Sequence, residues 1–468
     1  MSKIYVFGIG GTGARVLRAL TMLLASGVEC KADTIVPIII DPDAASGDLE
    51  RTVELMKKYG EIRSKLNFDT KRSNRFFKTC IQQTMANFRL PLSNTQDVLF
   101  DEYMNVSGMS RENQALVNML FSQKNLASDM TVGFKGNPNV GSVVLNQFDD
   151  SYEFQNFANE FTDQDKIFII SSIFGGTGAS GFPLLLKTLR TSEEVANKGL
   201  VNPAHIGAVT VLPYFQVKQE DDSQIDSATF VSKAKSALAY YNRNISKNNA
   251  IDNLYYIADD TRTTYDNCEG GTNQKNNAHL IELISALAII DFASTNKPEK
   301  AVHKEYGLDS DTKEIIFDNL GKISKSKLRK AMTQFLLFSK FFTENEESQY
   351  LNQPWTKDRE LDKTFFDGDF IRTLENFQTE YLAWLGEMAR QQRAFTPFHL
   401  RKDKDKVFDL VKGITQKKLL TIDANYNLYT NRLNGQKGES KSGAKEQQLT
   451  ELFYLATEQL VKDKFNII

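Results

Sequence analysis

The stretch Ile170-Ser171-Ser172-Ile173-Phe174-Gly175-Gly176-Thr177-Gly178-Ala179-Ser180-Gly181 decides how this chain is read. It follows the apolar run Lys166-Ile167-Phe168-Ile169-Ile170 and precedes helical text from Phe182 to Leu189, so it reads as strand, glycine turn, helix. Glycines in such a turn let several backbone N–H groups converge on one point, and the helix N-terminus behind them adds its dipole. That is what a phosphate group needs. The same arrangement opens the chain, where Ile4 to Phe7 leads into Gly8-Ile9-Gly10-Gly11-Thr12-Gly13 and then Val16, Leu17, Leu20 and Leu23 at helical spacing. One loop of this kind is shared with ordinary dinucleotide folds. Two GGTG loops on one sheet suit a site that grips a polyphosphate from two sides.

Working outward, further buried strands are expected at Ile35 to Ile40, which ends in Asp41-Pro42-Asp43, at Ile206 to Leu212, and at Asn253 to Ile257. Uninterrupted apolar runs before polar loops belong to parallel sheets covered on both faces, so the first half is α/β. From about Gly47 to Met130 the text turns polar and is read as a helical insertion. Ala278 to Phe292 is apolar nearly all round a helical wheel and predicts a central buried helix. Beyond residue 300 long helical patterns dominate, such as Phe370, Leu374, Phe377, Tyr381, Trp384 and Met388, whose aromatic stripe reads as core. This gives a nucleotide-binding α/β domain over 1–300 and a mainly α-helical region over 301–468. Asn434 to Gly443 has the composition of a loop.

Lys and Arg (57) nearly balance Asp and Glu (59), a formal charge of -2, so no basic field points to nucleic acid or an anionic membrane. Cys30, Cys80 and Cys268 lack the paired spacing of a metal knuckle or a disulfide framework, which fits a reducing cytoplasm. No apolar stretch reaches the roughly 18 residues of a membrane span.

With two GGTG loops in place, the chain resembles tubulin and FtsZ, whose signature is a GGGTGTG or GGGTGSG loop between a strand and a helix. Gly175 to Gly181 matches it, with Phe174 in place of the first glycine. Gly133-Phe134-Lys135-Gly136-Asn137-Pro138-Asn139-Val140-Gly141 is similar to the FtsZ loop GAGANPEVG, which faces the γ-phosphate. The resemblance implies a tubulin/FtsZ-like, Rossmann-type GTPase domain in which Gly10, Gly11, Thr12 and Gly13 form the first phosphate loop. Gly175, Gly176, Thr177 and Gly178 would hold the phosphates from the other side, with Gly136 and Asn137 near the γ-phosphate. Asp41-Pro42-Asp43-Ala44 stands where FtsZ has NTDA, so Asp43 matches directly; such a carboxylate either binds a metal-associated water or caps the following helix. For the base, Ile257-Ala258-Asp259-Asp260 stands at the FtsZ IPND, and Asn276-Asn277-Ala278-His279-Leu280-Ile281 at the tubulin NLNHLVS. Asp259 and Asn277 are thereby candidates for base contact, the alternative for Asp259 being an exposed carboxylate at a strand end. His279 reads as structural. Glu220, Asp221 and Asp222 are candidates for the ribose-binding acid, or a solvated acidic loop.

The resemblance covers most of residues 1–292, and within the superfamily the chain is most similar to divergent bacterial tubulin-like proteins. It implies GTP or GDP as ligand, with Mg2+, and self-association or a protein partner. The acidic loop that activates water in a neighbour's site has no counterpart at the family spacing, neither at Asp291 nor at Tyr306 to Asp311, which favours weak hydrolysis. Two other readings stay open. One is a Rossmann-type enzyme using ATP or NAD at Gly8 to Gly13, and the other a nucleotide-independent interaction scaffold.

Overall fold

A computed structural model of the chain describes residues 2–131, 133–134, 136–218, 229–260, 263–266, 270–307, 312–345, 347–401, 409–414, 425–437, 441–465 and 467. Glu220, Asp221, Asp222, Lys135, Cys268 and the segment 308–311 lie outside the described residues.

Seven strands form one sheet: β1 (Lys3–Ile9), β2 (Thr34–Ile40), β3 (Cys80–Ile81), β4 (Lys166–Ser172), β5 (His205–Val211), β6 (Asn253–Ile257) and β7 (Val302–Tyr306). In space they run β3-β2-β1-β4-β5-β6-β7, and every pairing is parallel. From β1 the chain works outward to β3, returns to lay β4 on the other flank of β1, and works outward again. The order therefore reverses between β1 and β4, where a doubly wound sheet opens a crevice at its carboxyl edge. The two glycine loops follow these two strands.

Helix α1 (Gly10–Ala25) packs against α2 (Gly47–Ser64) and the central helix α4 (Leu280–Ala293). Nearly every residue of α4 is buried, as its all-round apolar text predicts. Its start is closed by reciprocal capping, in which Ile281 N–H donates to His279 Nδ1 at 3.1 Å and His279 N–H to Glu282 Oε2 at 3.0 Å. His279 is structural. Helix α3 (Gly176–Thr191) follows β4 and packs on the short helix Pro138–Val144.

The carboxy-terminal region is mainly helical, built on α5 (Lys322–Glu344), α6 (Asp369–Ala389) and α7 (Lys445–Phe465). Phe335 meets Tyr381 edge-on at 4.8 Å and Phe338 stacks on Phe453 at 4.5 Å, so the aromatic stripes are core. Helix α6 also packs on α2, which joins this region to the sheet layer.

Two sequence boundaries move. The span 47–130 is not wholly helical, because Cys80–Ile81 pairs with Thr34 and Ile35 as the edge strand, and α2 packs on α1 as one of the helices covering the sheet. A two-residue strand leaves no periodicity to read. At the other end, Val302–Tyr306 pairs with Asn253–Ile257 and extends the sheet past residue 300. Its burial alternates between half-exposed and exposed, the pattern of an edge strand rather than a buried run.

Candidate functional site

The glycine loops touch. Gly10 takes the left-handed φ of +71°, and a Cβ built there would lie 3.4 Å from the Thr177 Cβ of the second loop. Behind them Gly13 packs on the strand itself, its Cβ position falling 2.3 Å from the Gly8 carbonyl carbon, so the helix can approach β1 only through two glycines. The third loop closes the group. The Cβ position of Gly176 lies 3.0 Å from Asn137 N and 3.1 Å from Gly136 N. Lys233 Nζ donates to the Gly136 carbonyl at 2.8 Å, tying that loop to the helix Phe230–Tyr241.

Between them lies a cleft of about 160 Å³ bordered by Gly10, Gly11, Thr12, Gly136 and Gly175–Gly178. Asp41 and Asp43, at the end of β2, line one side. Phe174, Phe215 and Phe230 form an aromatic wall, with Phe174 at 5.1 Å from Phe230 and 5.5 Å from Phe215 between ring centres. The space is below the roughly 300–1,000 Å³ of typical small-molecule sites, and Phe174 fills part of what a third glycine would leave open.

Beneath the first loop sits a buried charge cluster that sequence reading missed. Arg15 donates from Nε to Glu282 Oε1 at 2.7 Å, from Nη1 to Asp48 Oδ2 at 2.9 Å and from Nη2 to the Tyr214 hydroxyl at 3.0 Å. Tyr214 donates in turn to Glu282 Oε1 at 2.8 Å. Burial alone opposes the Arg15 charge, but Tyr214, Glu282 and Asp48 hold its pKa above the ordinary guanidinium value. Asp48 also accepts the Asn276 N–H at 3.2 Å and pairs with Arg51 at 2.7 Å, while Arg51 donates to the Asn276 carbonyl. Thus the backbone of Asn276, which lines the cleft, is held from both sides by groups linked to α1.

Of the expected residues, Gly10, Gly11, Thr12, Asp43, Gly136, Gly175, Gly176, Thr177 and Gly178 meet at this cleft. Gly13 supports it from behind. Asn137 stands at the N-cap position of the helix Pro138–Val144 without a side-chain capping bond, and it faces a neighbouring cleft of about 790 Å³. Asp43 is engaged through both oxygens, accepting from Ala45 N–H at 3.1 Å and Gly271 N–H at 2.7 Å, so it fixes loops. Asp41 keeps an edge toward the cleft; burial, with Asp43 close by, raises its pKa to about 7.

The structure does not bring Asp259 or Asn277 into the cleft. Asp259 is buried in an ion pair with Arg393, a partner in the carboxy-terminal region that no local pattern announces. Asn277 is exposed beside the cleft, and its neighbour Asn276, together with Gln274, lines it instead. Among the described residues no group of three or more His, Cys, Asp or Glu side chains is placed to hold a metal ion, and no helix is long and apolar enough to cross a membrane.

Fold and cleft together define a doubly wound α/β protein with three glycine loops converging at the switch point of its sheet. No protein-family model matches the chain, and no curated protein matches it. Among solved structures it is similar to CetZ2 from Haloferax volcanii in a GTPγS-bound protofilament, at 14% identity and TM-score 0.30, over 62% of this chain and 58% of that one. It is also similar to CetZ from Methanosaeta thermophila strain DSM 6194, at 16% identity and TM-score 0.29, over 71% of this chain and 60% of that one. The chain thus covers less than two thirds of the length of these structures.

Proposed function

We propose that this chain is a tubulin/FtsZ-superfamily protein that binds GTP or GDP in the glycine-loop cleft and acts as a nucleotide-dependent assembly or switch protein. The observation that carries the reading is the meeting of Gly10–Thr12, Gly175–Gly178 and Gly136 at the switch point between β1 and β4, with the N-termini of α1 and α3 behind two of the loops. A single dinucleotide fingerprint has no use for the second and third loops.

In this reading the phosphates lie against the three loops and the base extends toward Gln274 and Asn276. Asp41 is the carboxylate with room to meet a metal-bound water. Mg2+ commonly takes one or two carboxylates and completes its shell with phosphate oxygens and water, so a single protein carboxylate suits it. Asp41 would hold such an ion through water, and the ion would supply charge neutralisation to the phosphates. Ordering of the Gly133–Gly141 segment by a γ-phosphate would change the surface offered to a second copy or a partner. Hydrolysis by the isolated subunit is weak in this reading, because the acidic loop that activates water in the family has no counterpart at the family spacing.

Calorimetric titration with GTP and with ATP, each with and without Mg2+, tests this. Magnesium-dependent binding that prefers GTP supports it; a preference for ATP moves the chain to the enzyme reading, and absence of all binding leaves a scaffold.

A further inference from the structure

We propose that a second cleft, at the amino edge of the sheet, binds a small molecule carrying two or more phosphate groups. It is about 910 Å³, within the roughly 300–1,000 Å³ range of small-molecule sites. Asp33 and Thr34 at the start of β2, and Cys80 at the start of β3, place it at the opposite end of the strands from the glycine loops. Helices α5 and α7 close it through Lys327, Lys330 and Tyr454, so it lies where the sheet layer meets the carboxy-terminal region.

Its lining is strongly one-signed although the whole chain carries a formal charge of -2. Arg63, Arg75, Lys78, Lys327 and Lys330 face it, against Glu29 and Asp33. Both acids are already engaged, Glu29 with Lys31 at 3.1 Å and Asp33 with the Ser2 N–H at 3.1 Å. Lys330 pairs with Glu458 at 2.7 Å. The Lys78 carbonyl accepts from Arg63 Nε at 3.2 Å, but among the described residues no hydrogen bond or close ion pair reaches the ammonium groups of Lys78 and Lys327, which feel Glu29 only at longer range.

The cations are held in place rather than merely present. In Arg75-Phe76-Phe77-Lys78 the two rings are fully buried, Phe76 against Phe335 at 5.2 Å and Phe77 against Tyr59 at 5.2 Å. Phe77 adopts φ +58°, a strained backbone for a bulky residue, and the flanking Arg75 and Lys78 are left exposed. Gly27 lets this segment come close, since a Cβ there would lie 2.9 Å from the Arg75 Cβ. Burial and the neighbouring Arg75 lower the Lys78 pKa, the direction that a bound anion reverses. Like charges gathered around an open cavity, two of them with ammonium groups in no close ion pair, are offset most simply by a polyanion.

Inorganic tripolyphosphate is the probe, titrated calorimetrically into the full chain at low salt. The wild type is expected to bind it with an affinity that falls as salt rises, and Gly11→Phe, which obstructs the glycine-loop cleft, is expected to keep this site. Lys78→Ala/Lys327→Ala should weaken it at least tenfold, while Lys78→Arg/Lys327→Arg should retain it. Absence of binding to the wild type overturns the proposal. So does binding that Gly11→Phe abolishes and Lys78→Ala/Lys327→Ala leaves intact.

Discussion

Arg15, in the second turn of the first glycine helix, donates at 2.9 Å to Asp48, whose side chain has no solvent exposure. The pair is one link in a chain of contacts from the loop residue Thr12 to Asn276, which lines the same cleft. Removing Asp48 leaves the buried Arg15 with only Glu282 as a carboxylate partner. Asp48→Ala is therefore expected to cost about 3–5 kcal/mol, read from urea unfolding, because Arg15 and Arg51 both lose a carboxylate.

The proposed base contacts separate Asn276 from Asp259. Asn276→Ala is expected to reduce the preference for GTP over ATP by about tenfold, on the order of one hydrogen bond to a buried base. Asp259→Ala should leave that preference unchanged while destabilising the fold, since Arg393 is then buried alone. Competition of GTP and ATP for each purified variant measures both.

Stability should carry the signature of Asp41. Its pKa is raised to about 7 in the folded chain by burial, from an ordinary 3.8. Between those values the unfolded chain has already lost the proton that the folded chain keeps, so this group's contribution falls as pH rises from about 4 to about 7 and is level above. The difference in unfolding free energy between wild type and Asp41→Asn, followed across that range, should show this slope; a difference independent of pH contradicts it.

His279 acts with the opposite sign. Burial lowers its pKa to about 3, so below about 6.5 the unfolded chain takes up a proton that the folded chain refuses. Stability from this group is present at neutral pH and lost as pH falls. A His279→Asn variant, which keeps a capping side chain, should lose less stability between pH 7 and pH 4 than the wild type does.

What the sequence made legible was whatever repeats locally. Ile4 to Phe7 and Lys166 to Ile170 announce buried strands, GGTG announces a phosphate-type turn, and the apolar wheel of Ala278 to Phe292 announces a central helix. What stayed hidden depends on contacts across the chain. Nothing local singles out Arg15 beside Val16 and Leu17, because its partners Asp48 and Glu282 are distant in sequence. Asp259 looked available for a ligand because Arg393 lies in a separate region. The choice between Asn276 and Asn277 turns on one residue at the entrance to α4, where the backbone bonds to Asp48 and Arg51 set which side chain meets the cleft.

Gly11 offers the most direct test of the cleft itself. A Cβ at Gly13 would collide with the Gly8 backbone at 2.3 Å, whereas at Gly11 it would meet only the Arg15 Nη1, at 3.4 Å. Gly13→Ala is accordingly expected to cost about 1–3 kcal/mol or more in strain, and Gly11→Phe to fold while placing its ring among the phosphate loops. The measurement is GTP binding by calorimetry to wild type and Gly11→Phe, each shown by thermal melting to be folded. The account predicts binding to the wild type and none to a folded Gly11→Phe; equal binding to both contradicts it.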